Sequence, residues 1–168
     1  MNQWALLSFA GGLIVLHFGF GVVPAWIGAA LLTLTAFLLL GKARRVFVAR
    51  ISAFLLTVGL LLGWLGGWLG GWFGAWLTAL LSIACVSALL LTVSTYCRTK
   101  EMTEASERFS ALSLYYAIAQ IVYVFLRELL KKPELADGMI VLLSAVVVLI
   151  IFRLGQTFLS LRRAPSDA

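Results

Sequence analysis

GWLGGWLGGWFGAWLT, residues 63–78, stands at the centre of 46 residues, Ile51 to Tyr96, that carry no charge. As one helix that stretch would run about 69 Å, more than twice a hydrocarbon core ~30 Å thick. It therefore has to fold back on itself. Gly-Gly pairs break a helix readily, and two of them place the reversal within Gly66 to Gly71. A turn there leaves Trp64, Trp68, Trp72 and Trp76 near one membrane–water interface, the level at which Trp is enriched.

The rest of the chain agrees with a bilayer as solvent. Of 168 residues, 62% are hydrophobic and 12% charged, about half the charged share of an average soluble domain. Mean hydropathy is +1.06. A soluble fold of this size lacks the polar side chains to cover its surface. The net charge of +6 raises the possibility of nucleic acid, but its placement excludes that class. The basic residues sit in short clusters between apolar runs (Lys42, Arg44, Arg45 and Arg50; Arg98, Lys100 and Arg108; Arg162 and Arg163). Loops held on one side of a membrane look like this, whereas a phosphate-binding face needs a continuous basic patch.

Working outward from the repeat, turn residues and charges divide the chain into six spans of about 4–20, 24–41, 47–66, 71–96, 108–130 and 134–161. The fold class is all-α, a polytopic helical membrane protein forming one integral domain. Pro24 and Pro133 suit the first turn of a helix, where a missing N–H costs nothing. Glu104 and Arg108 stand at i,i+4 in the favourable order, so the fifth helix is expected to start in the polar stretch 98–108. The apolar N-terminus lacks the basic residues and cleavage site of a signal peptide and reads as a retained first span. With six spans both termini share a side, and the basic clusters put that side in the cytoplasm (N-in/C-in). The expected location is the inner, cytoplasmic membrane.

The fifth span carries the most informative polar pattern. Ser113, Tyr116, Gln120, Tyr123 and Arg127 are spaced +3, +4, +3, +4, which places them within about an 80° arc of one helix face. Ser106 and Lys131 extend the stripe. A polar stripe does not face lipid cheaply. It lines either a hydrogen-bonded helix seam or a solute path with Arg127 at the outer mouth.

Gly59, Gly63, Gly67 and Gly71 recur every four residues, the small-residue spacing that allows helix backbones to approach closely within a monomer or between subunits. A period of four drifts about 40° per repeat, so no straight Trp face results. His17, the single histidine, sits among aromatics and glycines and is expected to hydrogen-bond at an interface. Arg153 lies well inside the last apolar run, from which it would snorkel to the headgroups or pair with Glu101, Glu104 or Glu107.

No signature of nucleophilic, metal or phosphate-loop chemistry is present. Cys85 and Cys97 are the only cysteines; about 18 Å of helical rise puts them beyond disulfide reach. Neither a metal nor a cofactor is indicated. The expected role is non-catalytic: an accessory or assembly subunit, a homo-oligomer or part of a larger membrane complex, packing through glycine-rich and polar faces. The alternative is a small transporter or channel along the fifth-helix stripe. Lipid is the one partner the composition specifies, and nucleic acid is not among those expected.

Overall fold

The structure, a computed structural model, describes residues 3–18, 24–39, 44–66 and 72–163. Those residues form six helices: α1 Gln3–Phe18, α2 Ala25–Leu38, α3 Arg44–Gly66, α4 Trp72–Thr99, α5 Thr103–Val124 and α6 Pro133–Arg163. One π turn, Phe125–Leu129, continues α5. Helices are what apolar segments must form in lipid, because every backbone N–H and C=O has to be satisfied within the segment.

Four of the helices are long and apolar enough to cross a membrane, through Val46–Gly63, Phe73–Thr99, Thr103–Leu129 and Glu134–Ser160. The chain is a multi-pass helical membrane protein. Trp4–Phe18 and Ala25–Leu38 are shorter apolar segments; the spans expected at 4–20 and 24–41 extend into residues outside those described. The fifth helix starts at Thr103, within the polar stretch 98–108 where it was expected. Helix α3 ends at Gly66 and α4 begins at Trp72; the reversal expected within Gly66 to Gly71 falls on residues outside those described.

Each helix packs on its neighbours in sequence, and α6 packs on α1, so the contacts close into a cycle. Hydrogen bonds fix the alternation of direction. Ser8 near the start of α1 meets Thr35 near the end of α2 at 2.8 Å. Ser94 near the end of α4 meets Ser106 near the start of α5 at 3.0 Å and also donates to the Ser106 carbonyl at 2.8 Å. Arg50 near the start of α3 donates to the carbonyls of Ala36 and Leu39 at 3.0 and 3.1 Å. Ala36 lies in the last turn of α2 and Leu39 is its C-cap residue, and a cation there complements the helix dipole.

Helices α1 and α2 approach most closely at two glycines. A Cβ added to Gly28 would lie 2.5 Å from the Leu16 nitrogen and 2.8 Å from the Gly12 carbonyl oxygen. The interior is filled by Phe9, Leu13, Leu32, Leu89, Leu90, Phe109 and Ile150, all buried. Two turns use left-handed residues, Glu101 (φ 59°) and Lys131 (φ 50°). At the first, Met102 N–H reaches the Cys97 carbonyl at 2.9 Å and Glu101 N–H reaches Arg98 at 3.2 Å. That pair of bonds is a Schellman closure.

Candidate functional site

Near the end of the bundle that holds the α1–α2, α3–α4 and α5–α6 connections, helices α1 to α5 do not close on one another. They enclose a cavity of about 440 Å³, within the range of small-molecule sites. Its walls are mainly apolar, with Leu16, Leu56, Leu60 and Val124 among them, and its polar members are His17, Thr78, Ser82, Gln120, Tyr123, Arg127 and Glu128.

The floor is a hydrogen-bonded cluster around one oxygen. The Tyr116 hydroxyl meets Ser82 Oγ at 2.5 Å, His17 Nε2 at 3.0 Å and Gln120 Nε2 at 3.2 Å. The Tyr116 side chain is fully buried, and the His17 ring stands edge-on to it, centroids 5.6 Å apart. Three helices meet here: α1 through His17, α4 through Ser82 and α5 through Tyr116. Gln120, itself only 8% exposed, lines the cavity with an amide of which one end bonds Tyr116. The other end has no hydrogen-bond partner among the described residues. That end faces the cavity and is open to a ligand's hydrogen-bonding group.

At the rim, exposed Arg127 donates to the Tyr123 hydroxyl and stands over the same ring, 5.8 Å from its centroid. Its Nε lies 3.7 Å from Glu128 Oε1. The π turn brings two consecutive residues of opposite charge to one rim: Leu130 N–H bonds the Phe125 carbonyl at 3.1 Å, and Lys132 N–H the Leu126 carbonyl at 3.0 Å. Single π turns inside α-helices occur frequently at functional sites.

The fifth-helix stripe thus divides. Gln120, Tyr123 and Arg127 border the cavity, Tyr116 closes its floor, and Ser113 is buried below it. Spacing along one helix could not reveal the partners of the stripe, because His17 and Ser82 lie 99 and 34 positions from Tyr116. Glu128 sits off the stripe, four residues after Val124, and also lines the cavity.

The glycine and tryptophan candidates lie elsewhere. Gly59 borders a second, apolar hollow of about 370 Å³ between α3 and α4, and Gly63 is half-buried on α3. Gly67, Trp68 and Gly71 lie outside the described residues, as do the side chains of Trp64 and Trp72. Trp76 is half-buried on α4. Gly12 and Gly28, which no periodicity marked, sit where an added Cβ would meet the neighbouring helix.

At the opposite end Arg153 donates to Gln156 Oε1 at 2.8 Å and borders a hollow of about 160 Å³ with Glu104 and Arg108. Cys85 and Cys97 are buried free thiols. Among the described residues no group of His, Cys, Asp and Glu could hold a metal ion. Comparison with known protein families, curated proteins and solved structures finds no match, so the site is read from its own geometry.

Proposed function

We propose that this chain is a small non-catalytic carrier or solute-binding protein of the cytoplasmic membrane, with both termini inside and the cavity opening on the outer side. The observation that supports the reading is the open space beside a polar helix face. A seam made only for packing would close over Gln120, Tyr123 and Arg127, since interiors leave few voids larger than a water molecule. The chemistry of the walls suits a solute with an apolar body and an uncharged hydrogen-bonding end. That end would meet the free end of the Gln120 amide, and the Arg127–Glu128 pair leaves the mouth without net charge.

Accessibility tests this. In a Cys85→Ala, Cys97→Ala background, Ala75→Cys places a thiol on the cavity wall. A membrane-impermeant maleimide added outside intact cells is expected to label it. Labelling by a permeant maleimide alone would count against an outward cavity. It would favour the second reading, an assembly subunit whose interior is sealed. That second reading draws on the apolar hollow beside Gly59, which a helix of another subunit could fill.

A further inference from the structure

At the end of the bundle shared by the start of α1 and the end of α6, α5 and α6 leave a hollow of about 160 Å³ whose polar lining is Glu104, Arg108, Arg153, Gln156, Thr157 and Ser160. We propose that this hollow holds the phosphodiester headgroup of an anionic membrane lipid. The site lies at the far end of the bundle from the cavity, and the two readings stand or fall separately.

Charge comes first. Arg108 pairs with Glu104 one turn earlier on an exposed face, and such surface pairs contribute little, so a phosphate competes for that guanidinium readily. Arg153 hydrogen-bonds only the neutral Gln156 amide, with no carboxylate partner among the described residues. Two guanidinium groups against one carboxylate leave the hollow net positive. Guanidinium forks match the geometry of phosphate oxygens, and the Ser160 hydroxyl adds a donor on the same lining.

Depth comes second. Arg108 lies eight residues from the middle of the Thr103–Leu129 span, and Arg153 six from the middle of Glu134–Ser160. These positions lie towards the ends of their spans, about 12 and 9 Å of helical rise from the span centres. Side chains of that length reach the phosphate level from there. What favours a lipid over a free phosphate ion is the neighbouring surface: Phe152 and Leu159, one step round α6 from Gln156, are exposed and give acyl chains an apolar wall. Basic pockets between spanning helices on the cytoplasmic side are a recurrent form of anionic-lipid site.

The test uses the full chain, purified in mild detergent and stripped of lipid, with retained lipid counted by native mass spectrometry. Offered equal dioleoyl-phosphatidylglycerol and dioleoyl-phosphatidylethanolamine, the protein is expected to retain the anionic lipid preferentially. Arg153→Gln should weaken that retention about tenfold through loss of a charge-assisted pair, with Arg153→Lys intermediate. Lys132→Gln, at the other end, should leave it unchanged. Equal retention of the two lipids by the unmodified protein overturns the proposal even if Arg153→Gln fails to fold. Undiminished retention by a folded Arg153→Gln, Arg108→Gln double variant overturns it as well. Displacement of the lipid by inorganic phosphate would make the site one for free anions and overturn the lipid assignment.

Discussion

Tyr116 gathers three hydrogen-bonding groups on one hydroxyl, and the donors and acceptors balance. A phenol offers one O–H and two lone pairs. Gln120 Nε2 supplies one donor, leaving one lone pair and one proton for Ser82 and His17. If Tyr116 donates to His17 Nε2, Ser82 donates to Tyr116; if His17 carries its proton on Nε2, Tyr116 donates to Ser82. Either tautomer completes the junction. Tyr116→Phe keeps the ring and removes the shared atom, stranding three buried polar groups at about 1–3 kcal/mol each for those that find no water. The variant should unfold at a clearly lower temperature in detergent, read by loss of helical circular dichroism. Ser82→Ala should cost less, because His17 and Gln120 keep their partner. An unchanged unfolding temperature for Tyr116→Phe would mean the junction is not holding α1, α4 and α5 together. Half of this cluster was legible in the sequence. The stripe announces Tyr116 and Gln120 through helical spacing, a local property. Ser82 and His17 enter by tertiary proximity, and one serine or histidine in an apolar helix carries no mark of what it will face.

Helix pairing was legible in part, and the glycines show why. The repeat at residues 63–78 draws attention by its density, yet density does not say which glycine meets a backbone. Its legible content was the reversal between α3 and α4, a matter of length. Close approach occurs at Gly12 and Gly28 on α1 and α2, where only the crossing point of two helices selects the position. Gly28→Val would force its Cβ against backbone atoms of Leu16 and Gly12. Backbone cannot step aside as a flexible side chain does, so the helices must separate, at about 1–3 kcal/mol for overpacking. The variant is expected to lose the Ser8–Thr35 bond across the same pair, and with it thermal stability; Gly138→Val, at a site with nothing within 4 Å, serves as the matched control. Equal stability of the two variants would show that the α1–α2 crossing tolerates a wider spacing. The π turn was likewise illegible, since nothing in Phe125–Leu129 distinguishes it from an ordinary last turn until α6 has to pack beside it.

For the whole molecule, charge and connectivity combine into one statement about orientation. The six described helices alternate in direction, so Arg50, Arg98, Lys100, Arg108 and Arg153 collect at the end of the bundle shared by the start of α1 and the end of α6. Arg127, Lys131 and Lys132 lie at the other end, with the cavity. Loop cations are retained on the cytoplasmic side during insertion, and the proposed orientation, with the crowded end in the cytoplasm and the cavity facing out, follows from that bias. Arg50 shows that this bias is not only a topology signal, because the same guanidinium closes the end of α2. Reporter fusions give the decisive measurement. Joined after Gly41, a reporter active only in the cytoplasm should be on, and joined after Lys132 it should be off, with the reverse for a reporter active only outside. Adding Lys residues beside Lys131 and Lys132 should weaken that contrast, since the bias that sets it would shrink. If both fusions report one side, an even number of crossings separates the two loops in place of the three helices α3 to α5, and the outward cavity falls with the alternation on which it rests.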